Sequence, residues 1–199
     1  MLTHELVPVA AALVLLAARF AWTLAHSAES RQSMEFRQAW VRRVMAQPGS
    51  EIMAVQTVRN SMMAASLMAT SATLALIAVL TLGHARLQVV EADGWLHGPQ
   101  IKLFLPVALL AACMVLFSKA VRLYHRSGYS LGLAKGASAL HESAEAAAIN
   151  ELTRAAHLYR NGWRAFYSAI ATGAWLVSGW MMLVTTIVIV GIDIAAKVE

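Results

Sequence analysis

From Ala165 to Ile192 the chain runs for 28 positions without a charge, and Arg154, Arg160 and Arg164 lead into that run. A helix rises about 1.5 Å per residue and roughly 20 apolar residues cross a hydrocarbon core, so the run predicts a membrane span with residues to spare. Three further stretches have the same character: 6–25, interrupted by Arg19; 60–83, which holds no charged residue; and 101–119, bounded by Lys102 and Lys119. Between the first two, residues 27–47 interleave Glu29, Arg31, Glu35, Arg37, Arg42 and Arg43 with Met34, Phe36, Trp40, Val41 and Val44. Apolar spacings of three and four there predict a helix lying on the membrane surface, ended by Pro48-Gly49-Ser50. Residues 138–159 carry an apolar stripe of Leu140, Ala144, Ala148, Leu152, Ala155 and Tyr159, which predicts a helix docked on other cytoplasmic segments. Ser127 to Gly132 reads as a turn, and Asn161-Gly162 as a bend into the last span.

The expected fold is therefore all-α: one membrane domain over 1–199, with four transmembrane helices, amphipathic cytoplasmic connections at 26–59 and 120–164, and an outer loop at 84–100. Composition agrees, with 59% hydrophobic and 14% charged residues where a soluble domain carries about a quarter charged. The net charge of +5 does not point to nucleic acid, because the basic residues gather at the ends of apolar runs. All sixteen Lys and Arg except Arg86, Lys102 and Lys197 fall in the two long connections or at their edges. Positive-inside orientation then sets both connections in the cytoplasm and both termini outside a cell (inner) membrane. Met1 to Glu5 lack the basic start of a cleavable signal peptide.

Small residues recur every fourth position at Ser61, Ala65, Ala69 and again at Ala165, Ala169, Gly173. Such faces let backbones approach closely, so the second and last spans are expected to pack through them. Arg19 admits two readings: its stem snorkels to the cytoplasmic interface, or it is a buried cation facing the bundle, paired or lining a polar path. Arg59, Asn60, Arg160 and Arg164 open apolar segments at similar depth, and are the candidate residues for binding an anion or anionic lipid, since a guanidinium fork fits phosphate. The alternative for each arginine is simple anchorage of its own helix at the headgroups.

No catalytic, cofactor or metal constellation emerges. His84, Glu91, Asp93 and His97 in the outer loop lack the spacing of a standard metal site. His141 and Glu145, four apart, are half of an acid/base or metal pair at most, and otherwise a solvated helix contact. Cys113 lies inside an apolar run, and no second cysteine is present to pair with it.

At Val55-Gln56-Thr57-Val58-Arg59-Asn60-Ser61-Met62-Met63-Ala64 and at Arg160-Asn161-Gly162-Trp163-Arg164-Ala165-Phe166-Tyr167, the chain resembles the family known as domain of unknown function 599. The resemblance runs from the first span to the last and implies a multi-span membrane protein of the kind found in bacteria and plants. It implies no activity. The expected role is a helical-bundle scaffold or accessory subunit that binds a membrane-protein partner or anionic lipid at the cytoplasmic face. A small transporter or channel formed by a homo-oligomer is the alternative, and an embedded enzyme the third class.

Overall fold

A computed structural model describes residues 2–25, 28–47, 49–90, 99–132 and 138–198, and among these the regular structure is entirely helical. Six α-helices follow one another: α1 (Leu2–Ala25), α2 (Ala28–Ala46), α3 (Glu51–Val90), α4 (Pro99–Gly132), α5 (Ser138–Gly173) and α6 (Gly179–Val198), with a 3-10 turn at Ala174–Leu176. Two of them, over Glu51–Gly83 and Lys102–Gly132, are long and apolar enough to cross a membrane. Only 11% and 28% of their most apolar windows is buried against protein, unlike the core helix of a soluble domain. Leu67, Leu74, Ile77 and Leu82 on α3 are all exposed. The apolar stretches Leu6–Trp22 and Gly179–Ala195 are shorter.

α3 and α4 run beyond the expected spans, and two expected breaks are absent. α4 continues through Ser127 and Gly128 because Ser127 and Leu131 are buried on its packed side, the Ser127 hydroxyl donating to the Tyr124 carbonyl at 2.8 Å. α5 continues through Asn161-Gly162. There the missing side chain is filled by the Phe117 ring, whose Cε1 would lie 2.7 Å from an added Cβ. α3 extends to Val90, into the expected outer loop. Ser50 joins two helices: its hydroxyl donates to the Val44 and Gln47 carbonyls at the end of α2, both at 2.6 Å, while its carbonyl accepts from the Ala54 N–H at 3.0 Å at the start of α3.

One break is present where none was expected. The uncharged run 165–192 is divided by the 3-10 turn, and Val177 and Ser178 complete the interruption. Ser178 starts α6, its hydroxyl accepting from the Met181 N–H at 3.1 Å and its carbonyl from the Met182 N–H at 3.2 Å.

The chain divides into two compact units. Unit 1 comprises residues 1–25, 72–113 and 163–199. In it α1 and α6 pack along facing stripes: Val9, Ala12, Leu16 and Arg19 on one, Met182, Thr186, Ile189 and Asp193 on the other. Val9 and Ala12 share a core with Met182, while Arg19 meets Asp193 some ten residues further along both helices, so α1 and α6 run in the same direction. Trp175 joins the Val9–Met182 core and Ser168 lies beside Arg19, so the end of α5 runs the opposite way. The chain therefore reverses at 174–178, and α6 is parallel to α1, where a single unbroken crossing over 165–192 would make them antiparallel.

Unit 2 comprises residues 26–71 and 114–162. Its core joins Val41, Val44 and Met45 of α2 to Ala54, Val58 and Ala65 of α3, Ala120, Tyr124 and Leu131 of α4, and Ala144, Ala148, Leu152 and Ala155 of α5. Of the predicted α5 stripe, Ala144, Ala148, Leu152 and Ala155 are buried and Tyr159 packs on them; the Leu140 side chain lies outside the described residues. The apolar side of α2 does not lie open as a surface helix would: Val41 and Val44 are in the core and Trp40 packs on it, leaving Phe36 exposed.

Candidate functional site

Charged side chains gather in each unit, and the two groups are built differently. In unit 1, Arg19 sits one turn beyond Leu16 on the inward stripe of α1, a position that packing would give to an apolar residue. Its side chain is 8% exposed. The Nε donates to Asp193 Oδ2, Nη1 lies 3.4 Å from Ser168 Oγ, and the guanidinium stands 6.0 Å from the centre of the Tyr167 ring. Ser168 in turn donates to the Arg164 carbonyl at 2.8 Å, which leaves its oxygen lone pairs toward Arg19. The two readings of Arg19 are thereby resolved: it is a buried cation paired across the bundle, and its carboxylate comes from the helix that follows the interruption. Thr172 and Thr186, also buried, return their hydroxyls to their own helices. Near the start of α4, Lys102 Nζ stands 5.7 Å from the centre of the Trp175 ring.

In unit 2 two carboxylates are held by arginines. Arg126 Nε and the Ser130 hydroxyl donate to the two oxygens of Glu151 at 3.0 and 3.2 Å, joining α4 to α5. Arg42 Nε donates to Glu145 at 3.3 Å, joining α2 to α5. Glu145, half of the expected His141–Glu145 pair, is thus engaged with α2; the His141 side chain lies outside the described residues. So do residues 91–98, and with them Glu91, Asp93 and His97 of the outer loop.

Arg37 is a third arginine of unit 2 and has a different environment. It lies one turn before Val41, in register with Val41, Val44 and Met45 on the packed side of α2, and is partly buried. Burial pushes its guanidinium below the ordinary arginine range, Tyr124 acts against that shift, and the neighbouring Arg160 adds to it as a like charge. Arg160 approaches His157 with Nη2 2.8 Å from Nδ1. Tyr159 beside it packs edge-on to the fully buried Phe117, with ring centres 5.6 Å apart.

The residues expected to bind an anion are placed unequally. Arg59 and Asn60 are exposed on α3, just past the buried Val58, whereas Arg160 and Arg164 are partly buried on α5. Sequence reasoning missed Arg37 and Tyr124, though the stripe 37, 41, 44 and 45 marks Arg37 as a cation on a packed face. It also missed Asp193 as the partner of Arg19. Of the small residues, Ala65 and Ala169 are buried and Ser61, Ala69, Ala165 and Gly173 partly so.

The family model described as protein of unknown function, DUF599, matches residues 6–195. The chain belongs to that family. The match covers nearly the whole DUF599 chain, including both stretches that carry the resemblance, 55–64 and 160–167. No curated protein and no solved structure matches it. Membership of DUF599 brings no activity to either charged group, so their chemistry must be argued from the side chains themselves.

Proposed function

We propose that the protein is an integral membrane scaffold or accessory subunit, a helical bundle that binds anionic lipid or a membrane-protein partner through its basic cytoplasmic side. The observation that carries this reading is the division of side chains: little of the apolar windows of α3 and α4 is buried, while arginines lie on the packed helices of unit 2. Arg59, Asn60, Arg160 and Arg164 belong to this basic side in the reading, with phosphate as the group their chemistry fits. α1, α3, α4 and the segment 165–192 enter the bilayer of a cell membrane. That segment goes in along the end of α5 and returns along α6, so the amino end is outside and the carboxyl end cytoplasmic, in place of both ends outside. Lys197 then joins the cytoplasmic cations, and only Arg86 and Lys102 depart from the positive-inside bias.

Native mass spectrometry of the purified protein tests the reading. It should retain anionic lipid in preference to zwitterionic lipid or carry a membrane-protein partner, and Arg164→Lys should weaken lipid retention although charge and topology survive. Absence of both preferential retention and a partner would count against it. A second reading, transport by a homo-oligomer, is favoured by one observation: the buried Arg19–Asp193 pair beside an interrupted helix, a combination found along substrate pathways. A symmetric oligomer with measurable anion flux, lost in Asp193→Asn, would move the conclusion there.

A further inference from the structure

We propose that the outward face of α4 from Lys119 to Tyr129 seats an anionic phospholipid, its phosphate held by Arg122 and Arg126 and its chains running back past Val115. The inference rests on the lipid-binding reading above and gives it a site on a helix face apart from Arg59, Asn60, Arg160 and Arg164.

At about 100° per residue, Lys119, Arg122, His125, Arg126 and Tyr129 fall within an arc of roughly 120° on α4. All five are exposed. Phe117, Ala120, Tyr124, Ser127 and Leu131 occupy the opposite side and are buried. No Asp or Glu lies between Lys119 and Gly132. Among the described residues one carboxylate is bonded to the stripe: Glu151 of α5 accepts from Arg126 Nε at 3.0 Å, and its other oxygen from the Ser130 hydroxyl at 3.2 Å. The Glu151 side chain is 12% exposed and that of Arg126 is 66% exposed, so the pair fixes the arginine without covering it. The stripe is therefore a cationic surface with one guanidinium held in place beforehand, which lowers the ordering cost of binding.

A phospholipid fits this face because the same side of α4 is apolar one turn earlier. Val115 is exposed there, and α4 over Lys102–Gly132 is one of the two helices apolar enough to cross a membrane. A soluble anion or an acidic protein would use the charges alone, whereas a lipid lays its chains on the apolar part and its phosphate on the cations. Arg122 lies about 10 Å along the helix from Val115, and helical side chains lean toward the N-terminus, here toward the span. Arg122 and Arg126 thus reach back to the level of the headgroups, where phosphate oxygens accept from both guanidinium forks. Tyr129, edge-on to His125 with ring centres 5.0 Å apart, adds a hydroxyl donor at the far end.

Native mass spectrometry of the full-length protein, equilibrated in uncharged detergent with equal amounts of phosphatidylglycerol and phosphatidylcholine, reads the ratio of the two lipids bound. Wild type should prefer phosphatidylglycerol; the ratio should fall about fivefold in Arg122→Gln and further in Lys119→Gln/Arg122→Gln. Arg43→Gln makes the same charge change on α2, beside Arg42, whose partner Glu145 lies more than a turn further from the span along α5 than Glu151 does. Its ratio should stay within about twofold of wild type. Thermal unfolding in lipid-free detergent should be unchanged in all three variants, since each replaced side chain is exposed, so a lost preference reports binding and not folding. A wild-type ratio in Lys119→Gln/Arg122→Gln overturns the site, and an equal fall in Arg43→Gln overturns it too, because net charge alone would then set the preference. An acidic protein retained by wild type and lost from the double variant at unchanged lipid ratio would give the face to a partner and overturn it likewise. If the ratio survives in the double variant but falls in Arg164→Lys, or if wild type lacks the preference yet carries a partner, the broader reading stands without this site; with neither preference nor partner, both fall.

Discussion

Removing either member of the Arg19–Asp193 pair is expected to destabilise unit 1. The arginine side chain is 8% exposed and the carboxylate 33%, so Asp193→Asn leaves a nearly dehydrated cation beside Ser168 and the Tyr167 ring. Breaking a fully buried pair costs about 3–5 kcal/mol; the partial exposure of Asp193 lowers the expectation to about 2–3 kcal/mol. Arg19→Met alone should cost somewhat less, because the abandoned carboxylate has water within reach. The double variant Arg19→Met/Asp193→Leu replaces both charges with apolar groups on facing stripes and should return to within about 1 kcal/mol of wild type. Reversible unfolding in mixed detergent, arranged as a double-mutant cycle, reads the coupling directly. Single variants within about 0.5 kcal/mol of wild type and additive in the double would refute the reasoning, since both charges would then be solvated at an interface.

Two further outcomes follow from close packing. Gly162→Ala gains helix propensity but drives a Cβ to 2.7 Å from the Phe117 ring, so it should lower stability by about 1 kcal/mol net, and Phe117→Leu should make the same change neutral or favourable, by thermal unfolding of the single and double variants. Ala65→Leu and Ala169→Leu, each at a buried small position, should each cost about 1–3 kcal/mol; wild-type stability in both would mean that these faces point to lipid.

Particular residues show what the sequence made legible. The α5 stripe was readable because 3.6-residue periodicity there coincides with burial, and Ala144, Ala148, Leu152 and Ala155 all lie in the core. The reversal at 174–178 was hidden because an uncharged run has the same composition whether it crosses once or turns back. Its local signal was Ser178-Gly179 ahead of an apolar run, a helix start in mid-span. Gly128 and Gly162 misled in the opposite sense: glycine near charged residues suggests a turn, yet both remain helical, Gly162 because a ring from another helix takes the space. The Arg19–Asp193 pair spans 174 positions of sequence, and its register depends on that unseen reversal. Arg37 was passed over because a surface helix accommodates arginine anywhere, and only the packing of α2 into a core makes its place unusual.

Labelling of single cysteines in intact cells, in a Cys113→Ala background, tests the central claim that the protein sits in the membrane with its basic connections and its carboxyl end in the cytoplasm. A membrane-impermeant thiol reagent should reach Gly94→Cys from outside and fail at Gly49→Cys and Lys197→Cys until the membrane is opened. Labelling of Lys197→Cys from outside would restore an unbroken last crossing and contradict the reversal, and labelling of Gly49→Cys from outside would overturn the orientation itself.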